Sequence, residues 1–243
     1  MRCNTGTVCY HARMAEERQG RLSIVATPIG NMEDITLRAL RVLREADAIY
    51  AEDTRVIAKL LAHYEIKTSV HRLDAATEHR KFAEVVERLE NDEHVAYVSD
   101  AGTPGISDPG AYLVAQARAS GARIDAVPGA SSLTAALSIA GVPTDEFTFI
   151  GFLPHKKGRQ TALREIAESE RTFVLFESPH RIIKLLEELD ALIPDRRVII
   201  GRELTKMFEE IRHDTPAELA KALTEAKAER GEFVVIIPAK EML

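Results

Sequence analysis

Three glycines, two prolines and two aspartates crowd into the stretch SDAGTPGISDPG, residues 99–110, directly after a run that reads as a buried strand. Gly102, Gly105 and Gly110 let a ligand approach the main chain, because glycine has no side chain in the way and tolerates positive φ. Pro104 and Pro109 stiffen the same stretch and remove N–H groups that would otherwise need partners. Such a loop offers carbonyls and a few amides at fixed positions, with the carboxylates of Asp100 and Asp108 beside them. A plainer alternative is a long turn with Asp108 as the N-cap of the next helix. TPIGNMEDIT (27–36), AEDTR (51–55) and PGASS (128–132) are loops of similar character, the last of which also fits a turn plus N-cap. No G-x-G-x-x-G follows the first strand and no G-K-[ST] occurs, so dinucleotide and P-loop sites lose their support. Phosphate is not the expected ligand feature.

Hydrophobic periodicity supplies the scaffold that these loops need. The spacing predicts strands at 22–28, 46–52, 69–73, 94–100 and 122–128, and helices at 36–46, 54–64, 77–90, 111–120 and 131–140. The first helix places Leu37, Leu40, Val42 and Leu43 on one face behind Thr36 as N-cap, and Gly141 closes the fifth. Strand alternating with helix implies a mainly parallel sheet covered on both faces, an α/β lobe over 21–143. Ligands of such sheets sit beyond the carboxyl ends of the strands, where all four loops fall. The second half, 144–243, shows strands at 147–154, 171–177, 196–204 and 231–239, and helices at 178–192 and 216–229. Ser178 is the expected N-cap of the former, with Pro179 in its first turn. MFEEIRH (207–213) follows the strand at 196–204 so closely that a hairpin, and hence a mixed sheet, is expected. The architecture is two α/β lobes with a cleft between them.

The chain has 243 residues, 45% of them hydrophobic, enough to bury a sizeable core. Its formal net charge of −6 argues against a generic nucleic-acid coat, though it permits a local basic patch. Cys3, Cys9 and His11 do not complete a tetrahedral structural zinc site. Residues 1–20 lack an apolar core of the kind a secretory signal needs and read as a disordered leader, within which Met14 offers an alternative start. No stretch reaches the apolar length of a membrane span, so a soluble cytoplasmic protein with reduced thiols is expected.

ATPIGNMEDIT with RAL, AEDTR, VSDAGTPGISDPG, VPGASSLTAAL, GFLP, FESPHR and GRELTK, in that order from about Leu22 to Ala239, resemble the tetrapyrrole-methylase superfamily and within it the ribosomal RNA branch. The resemblance implies the class III methyltransferase fold, a homodimer of two-lobed subunits, S-adenosylmethionine in the interlobe cleft, and methylation of the 2′-hydroxyl of one cytidine of 16S ribosomal RNA at the decoding centre. It also implies that Pro28, Ile29, Asp100, Gly102, Thr103 and Ile106 line the cofactor. Ser131 and Ser132 join them, with Glu177 and the 231–233 backbone contributing from the second lobe. S-adenosylmethionine carries a sulfonium and a zwitterionic amino acid but no phosphate, which answers to carbonyls and hydroxyls rather than a phosphate cradle.

Methyl transfer to a ribose hydroxyl needs alignment and proton removal. The candidate bases are Glu52, Asp53, Asp100 and Asp108. The AEDTR carboxylates are preferred, with Arg55 orienting substrate or phosphate. The alternative for that motif is Asp53 as an N-cap paired with Arg55. Lys206 is a second candidate, as a base of lowered pKa or as a phosphate contact. PHKKGRQTALR (154–164) carries Lys156, Lys157, Arg159 and Arg164 with no acid among them, which the resemblance turns into a phosphate-contacting lid. His180 and Arg181 of SPHR add to the basic groups or serve structure. Aromatic residues make up 5% of the chain, with no Trp, so a wide stacking platform is not expected. Three segments depart from the family: RLDAATEHRKF, with Glu78 and His79, TKMFEE, with Phe208, and IRHDTPAEL. They touch substrate positioning rather than the cofactor. The rivals are a tetrapyrrole methylase, disfavoured by SDAGTP, AEDTR and FESPHR, and a non-catalytic module binding a nucleoside ligand.

Overall fold

A computed structural model describes residues 19–73 and 78–240. The trio Cys3, Cys9 and His11, the alternative start at Met14, and the side chains of Glu78 and His79 lie outside the described residues. The first half forms β1 (Arg21–Val25), α1 (Leu37–Glu45), β2 (Ala48–Ala51), α2 (Thr54–His63), β3 (Val70–Arg72), α3 (Glu78–Glu90), β4 (His94–Val98), α4 (Ala111–Ala119), β5 (Arg123–Val127) and α5 (Ser132–Ile139). Its sheet runs β3-β2-β4-β1-β5, with every pairing parallel. β2 is buried throughout and β4 in all but its first residue, as strands covered on both faces must be. Leu40, Leu43, Ile57 and Leu61 cover one face from α1 and α2, and Phe82, Val85, Leu89 and Leu113 cover the other from α3 and α4.

Register decides where the chemistry lies. Val25 pairs with both Val98 and Val127, and Ala51 with Val98, so β1, β2, β4 and β5 end level with one another. The loops after these strands therefore leave the sheet at one edge. β1 stops at Val25 rather than reaching residue 28, because Thr27 turns away to exchange two backbone hydrogen bonds with Gly102, at 2.9 and 3.0 Å. Two of the four strand-end loops are thereby fastened together.

The second half contains β6 (Phe147–Phe152), α6 (Arg159–Glu168), β7 (Thr172–Glu177), α7 (Ile182–Asp190), β8 (Val198–Arg202), β9 (Glu210–Asp214), α8 (Pro216–Glu225) and β10 (Phe233–Ile237). The sheet order is β6-β7-β10-β8-β9, mixed as the hairpin signal implies: β6 and β7 are parallel and the other pairs antiparallel. α7 starts later than its periodicity suggests. The Glu177 carboxylate accepts the Ser178 N–H at 2.8 Å and the Arg181 guanidinium at 2.7 Å, so 178–181 form a turn and neither Ser178 nor Pro179 belongs to the helix. Asp108 likewise caps no helix, since α4 begins after Gly110 at φ 133°. α5 buries Ala136, Leu137 and Ala140 against Val174, Ile199, Val234 and Ile236 of the second sheet. The helix that ends the first half is thus the packing surface that joins it to the second.

Candidate active site

A cavity of about 320 Å³ opens between the two sheets. The first half contributes Ile29, Gly102, Thr103 and Ile106 from its strand-end loops, and Ser131 and Ser132 at the start of α5. The second half contributes Phe152, Phe176, Glu177, Leu204 and the 232–234 segment. The loops are rigidly presented. Gly102 sits at φ +78°, and a Cβ there would lie 3.3 Å from Ile29 Cγ2. Thr103 donates its hydroxyl to the Ala130 carbonyl at 3.2 Å, tying the glycine-rich loop to the PGASS turn. Ser131 occupies the N-cap position of α5 without spending its side chain on the helix. Ser107, in the cavity wall, is a non-glycine residue at φ 63°, a costly backbone conformation.

The lining includes the acidic residues Asp108, Glu177 and Glu232 and, among the described residues, no lysine, arginine or histidine. Burial pushes the Asp108 carboxyl up; a hydrogen bond from Ser99 works against this and the charge of Asp100 adds to it. Glu177 is buried, with one oxygen held by Ser178 and Arg181 and the other 3.7 Å from the Arg159 guanidinium. Its carboxylate shapes the cavity wall through these partners. With Phe152, Phe176 and Ile106 supplying apolar surface, the cavity suits a ligand with a flat apolar part and a positive centre but no phosphate.

A second cavity of about 250 Å³ adjoins the first and shares Ile29, Ala101 and Glu232 with it. Pro28 and Asp100 line this one, with Ile57 and Leu60 of α2 and with Lys206. Asp100 Oδ1 accepts the Asp53 N–H at 2.9 Å, which orients the carboxylate. Glu52, Asp53 and Arg55 are not among the residues lining either cavity. Asp53 caps α2 by accepting the Arg55 N–H at 2.9 Å and pairs with the Arg55 guanidinium at 2.6 Å. The hydrogen-bonded Arg55 side chain holds the Asp53 carboxyl well below the usual carboxylate range, which makes it a poor proton acceptor.

Lys206 differs from the lowered-pKa expectation. Burial alone would lower it, but hydrogen bonds to Glu203 at 2.8 Å and Glu232 at 3.0 Å hold the ammonium above its ordinary value. It is a fixed positive charge, not a base. The basic run also divides: Lys156, Lys157 and Arg164 are exposed, whereas Arg159 is 4% exposed and bonds Glu188 at 2.8 Å, so Arg159 does not face a phosphate. Arg181, bound to Glu177 and to the Leu153 carbonyl at 3.2 Å, is structural too. Sequence reasoning missed Phe152, Phe176, Leu204 and the Glu232 side chain in the cavity wall. GFLP marked the strand end that carries Phe152, and no comparable local signal marked the others.

Residues 21–220 match the family described as tetrapyrrole (corrin/porphyrin) methylases. A Pseudomonas aeruginosa protein named ribosomal RNA small subunit methyltransferase I is 46% identical over 221 residues, 90% of this chain and 78% of its own. A Thermotoga maritima protein of the same name is 43% identical over 222 residues, 91% of this chain and 100% of its own. Among solved structures, a diphthine synthase superposes with a TM-score of 0.71 at 20% identity, covering 92% of this chain and 91% of its own, a likeness of fold.

Proposed function

The chain belongs to the tetrapyrrole methylase family, and on that footing we propose that it transfers a methyl group from S-adenosylmethionine to the 2′-hydroxyl of a cytidine in 16S ribosomal RNA, at the decoding centre, acting as a homodimer. A ribosomal substrate puts this work in the cytoplasm. The observation that carries the reading is the 320 Å³ cavity whose lining includes Asp108, Glu232 and the hydroxyl residues Thr103, Ser131 and Ser132 and, among the described residues, no lysine, arginine or histidine. The carboxylates complement a sulfonium and an ammonium, and no basic side chain of the lining, among the described residues, would pair with a phosphate. The cradle at Gly102, which a Cβ would crowd, gives the main chain the close approach such a donor needs.

When bound, S-adenosylmethionine supplies a methyl group already activated for displacement. The protein then has two tasks, alignment and proton removal. Phe152, Phe176 and Ile106 would offer apolar surface to the donor, and Asp108 and Glu232 would lie in the same cavity as its positive charges. Asp100 stands in the adjoining cavity with its carboxylate oriented by the Asp53 N–H, and takes the proton of the acceptor hydroxyl. Asp53 and Arg55 act behind it, as the cap and ion pair that hold the start of α2. Alignment of two bound reactants provides much of the acceleration, and the base about 10²- to 10⁴-fold. The exposed Lys156 and Lys157, before α6, contact RNA phosphates.

Incubation with radiolabelled S-adenosylmethionine and, separately, assembled small subunits, naked ribosomal RNA or a reduced porphyrin tests the reading. Label on a cytidine ribose of the small-subunit RNA is expected. Label on the porphyrin makes the protein a tetrapyrrole methylase, and no transfer to any acceptor makes it a binding module.

A further inference from the structure

We infer that the second cavity, beside the donor site, receives a single ribonucleoside extruded from folded RNA, with its base against the aliphatic wall of α2 and its flanking phosphate at Lys206. This rests on the methyltransfer reading above. In-line displacement requires the acceptor oxygen to reach the donor from an adjoining space. The second cavity meets that demand, since Ile29, Ala101 and Glu232 belong to both walls.

At about 250 Å³ the second cavity has room for one nucleoside. Enzymes acting on one nucleotide within folded nucleic acid swing it out into such a pocket, and RNA-binding proteins read splayed bases in this way. Its lining grades from apolar to charged. Pro28, Ile57 and Leu60 form a dry wall for a base, with Met32 and Val56 at 36% and 40% exposure on the outer side. Asp100, Lys206 and Glu232 are its charged groups.

Lys206 belongs to the second half of the chain but is built into the first. A Cβ at Gly30 would lie 2.4 Å from Lys206 Cγ, so the lysine stem passes over the bare glycine of the TPIGN loop. Glu203 and Glu232 then fix its ammonium, and its side chain remains 28% exposed, open to a phosphate oxygen from the solvent side. Met207 and Phe208 follow at 91% and 67% exposure. Large apolar residues this exposed, next to the phosphate-binding cation, are suited to fill the gap that an extruded nucleotide leaves in the RNA.

Two obstructing variants test the assignment, Val56→Trp from α2 and Met32→Trp from the facing loop. Each should lower kcat/KM for assembled small subunits at least tenfold, while S-adenosylmethionine affinity by calorimetry stays within twofold of wild type and the thermal midpoint is preserved. A second readout needs no donor: a decoding-centre RNA fragment carrying pyrrolo-cytosine at the target position should brighten when bound by wild type and stay quenched with Val56→Trp. A folded Val56→Trp or Met32→Trp protein that methylates at the wild-type rate overturns the assignment, as does a bound fragment that stays quenched with wild type. If wild type methylates no RNA at all, it is the methyltransfer reading that falls.

Discussion

Replacing Gly102 probes the proposed donor site where a Cβ would meet Ile29. Gly102 holds φ +78° between two backbone hydrogen bonds to Thr27, so the chain cannot relax to negative φ without breaking the junction between β1 and the glycine-rich loop. Alanine there carries a left-handed penalty of about 1–2 kcal/mol. For a chain of this size that corresponds to a drop of about 2–8 °C in thermal midpoint. Its Cβ would meet Ile29 Cγ2 at 3.3 Å and the Ala130 carbonyl at 3.7 Å, an approach that a shift of a few tenths of an ångström in Ile29 absorbs. Valine adds two methyl groups at the same point, against Ile29 or into the cavity. Where those methyls point into the cavity the crowding falls on the bound state, and an overpacking cost of about 1–3 kcal/mol there is equivalent to about 5- to 150-fold in affinity. The expected result from calorimetry and melting curves is an alanine variant slightly less stable with nearly normal S-adenosylmethionine binding, and a valine variant that folds and binds at least fivefold more weakly. A folded valine variant with wild-type affinity would refute the placement of the donor against this main chain.

Asp100→Asn keeps the oxygen that accepts the Asp53 N–H, so it should leave donor affinity unchanged and lower kcat by about 10²- to 10⁴-fold; full activity would clear Asp100 as the base. Burial raises the Asp108 carboxyl in the folded state, so the native protein holds that proton more tightly than the unfolded chain, and the contribution of this group to stability is lost as pH rises above the ordinary carboxyl value of about 4. Asp108→Asn should therefore show a shallower decline in thermal midpoint above that pH and at least wild-type stability at neutral pH, and a steeper decline would contradict the assignment. Charge reversal at Lys156 and Lys157 should weaken RNA binding and flatten its logarithmic salt dependence by about 0.7–0.9 for each phosphate the protein no longer neutralises; an unchanged slope would remove these lysines from the interface.

Periodicity and capping made most of the scaffold legible. Thr36 and Asp53 cap α1 and α2 as their positions before apolar helices suggest, and the close succession of RVIIGREL and MFEEIRH correctly signalled the β8–β9 hairpin. These are local effects, set by nearest neighbours along the chain. The start of α7 was not legible, because the residue that unwinds it, Glu177, acts through a carboxylate held between Arg181 and Arg159 from a different helix.

The glycine-rich loop, the alternation of strands and helices and the order of the motifs were written in the chain itself, because backbone freedom and hydrophobic spacing depend only on residue type. Which carboxylate could serve as a base was not. Asp53 and Asp100 look alike as letters, yet one is spent on its own helix and an arginine while the other lines a cavity. Lys206 became a fixed cation only because folding brought Glu203 and Glu232 to it and laid its stem on Gly30. Charge and proton affinity are set by neighbours in space: Glu203 lies three residues before Lys206, but Glu232 reaches it only when β10 pairs with β8, and Gly30 only when the two halves pack together.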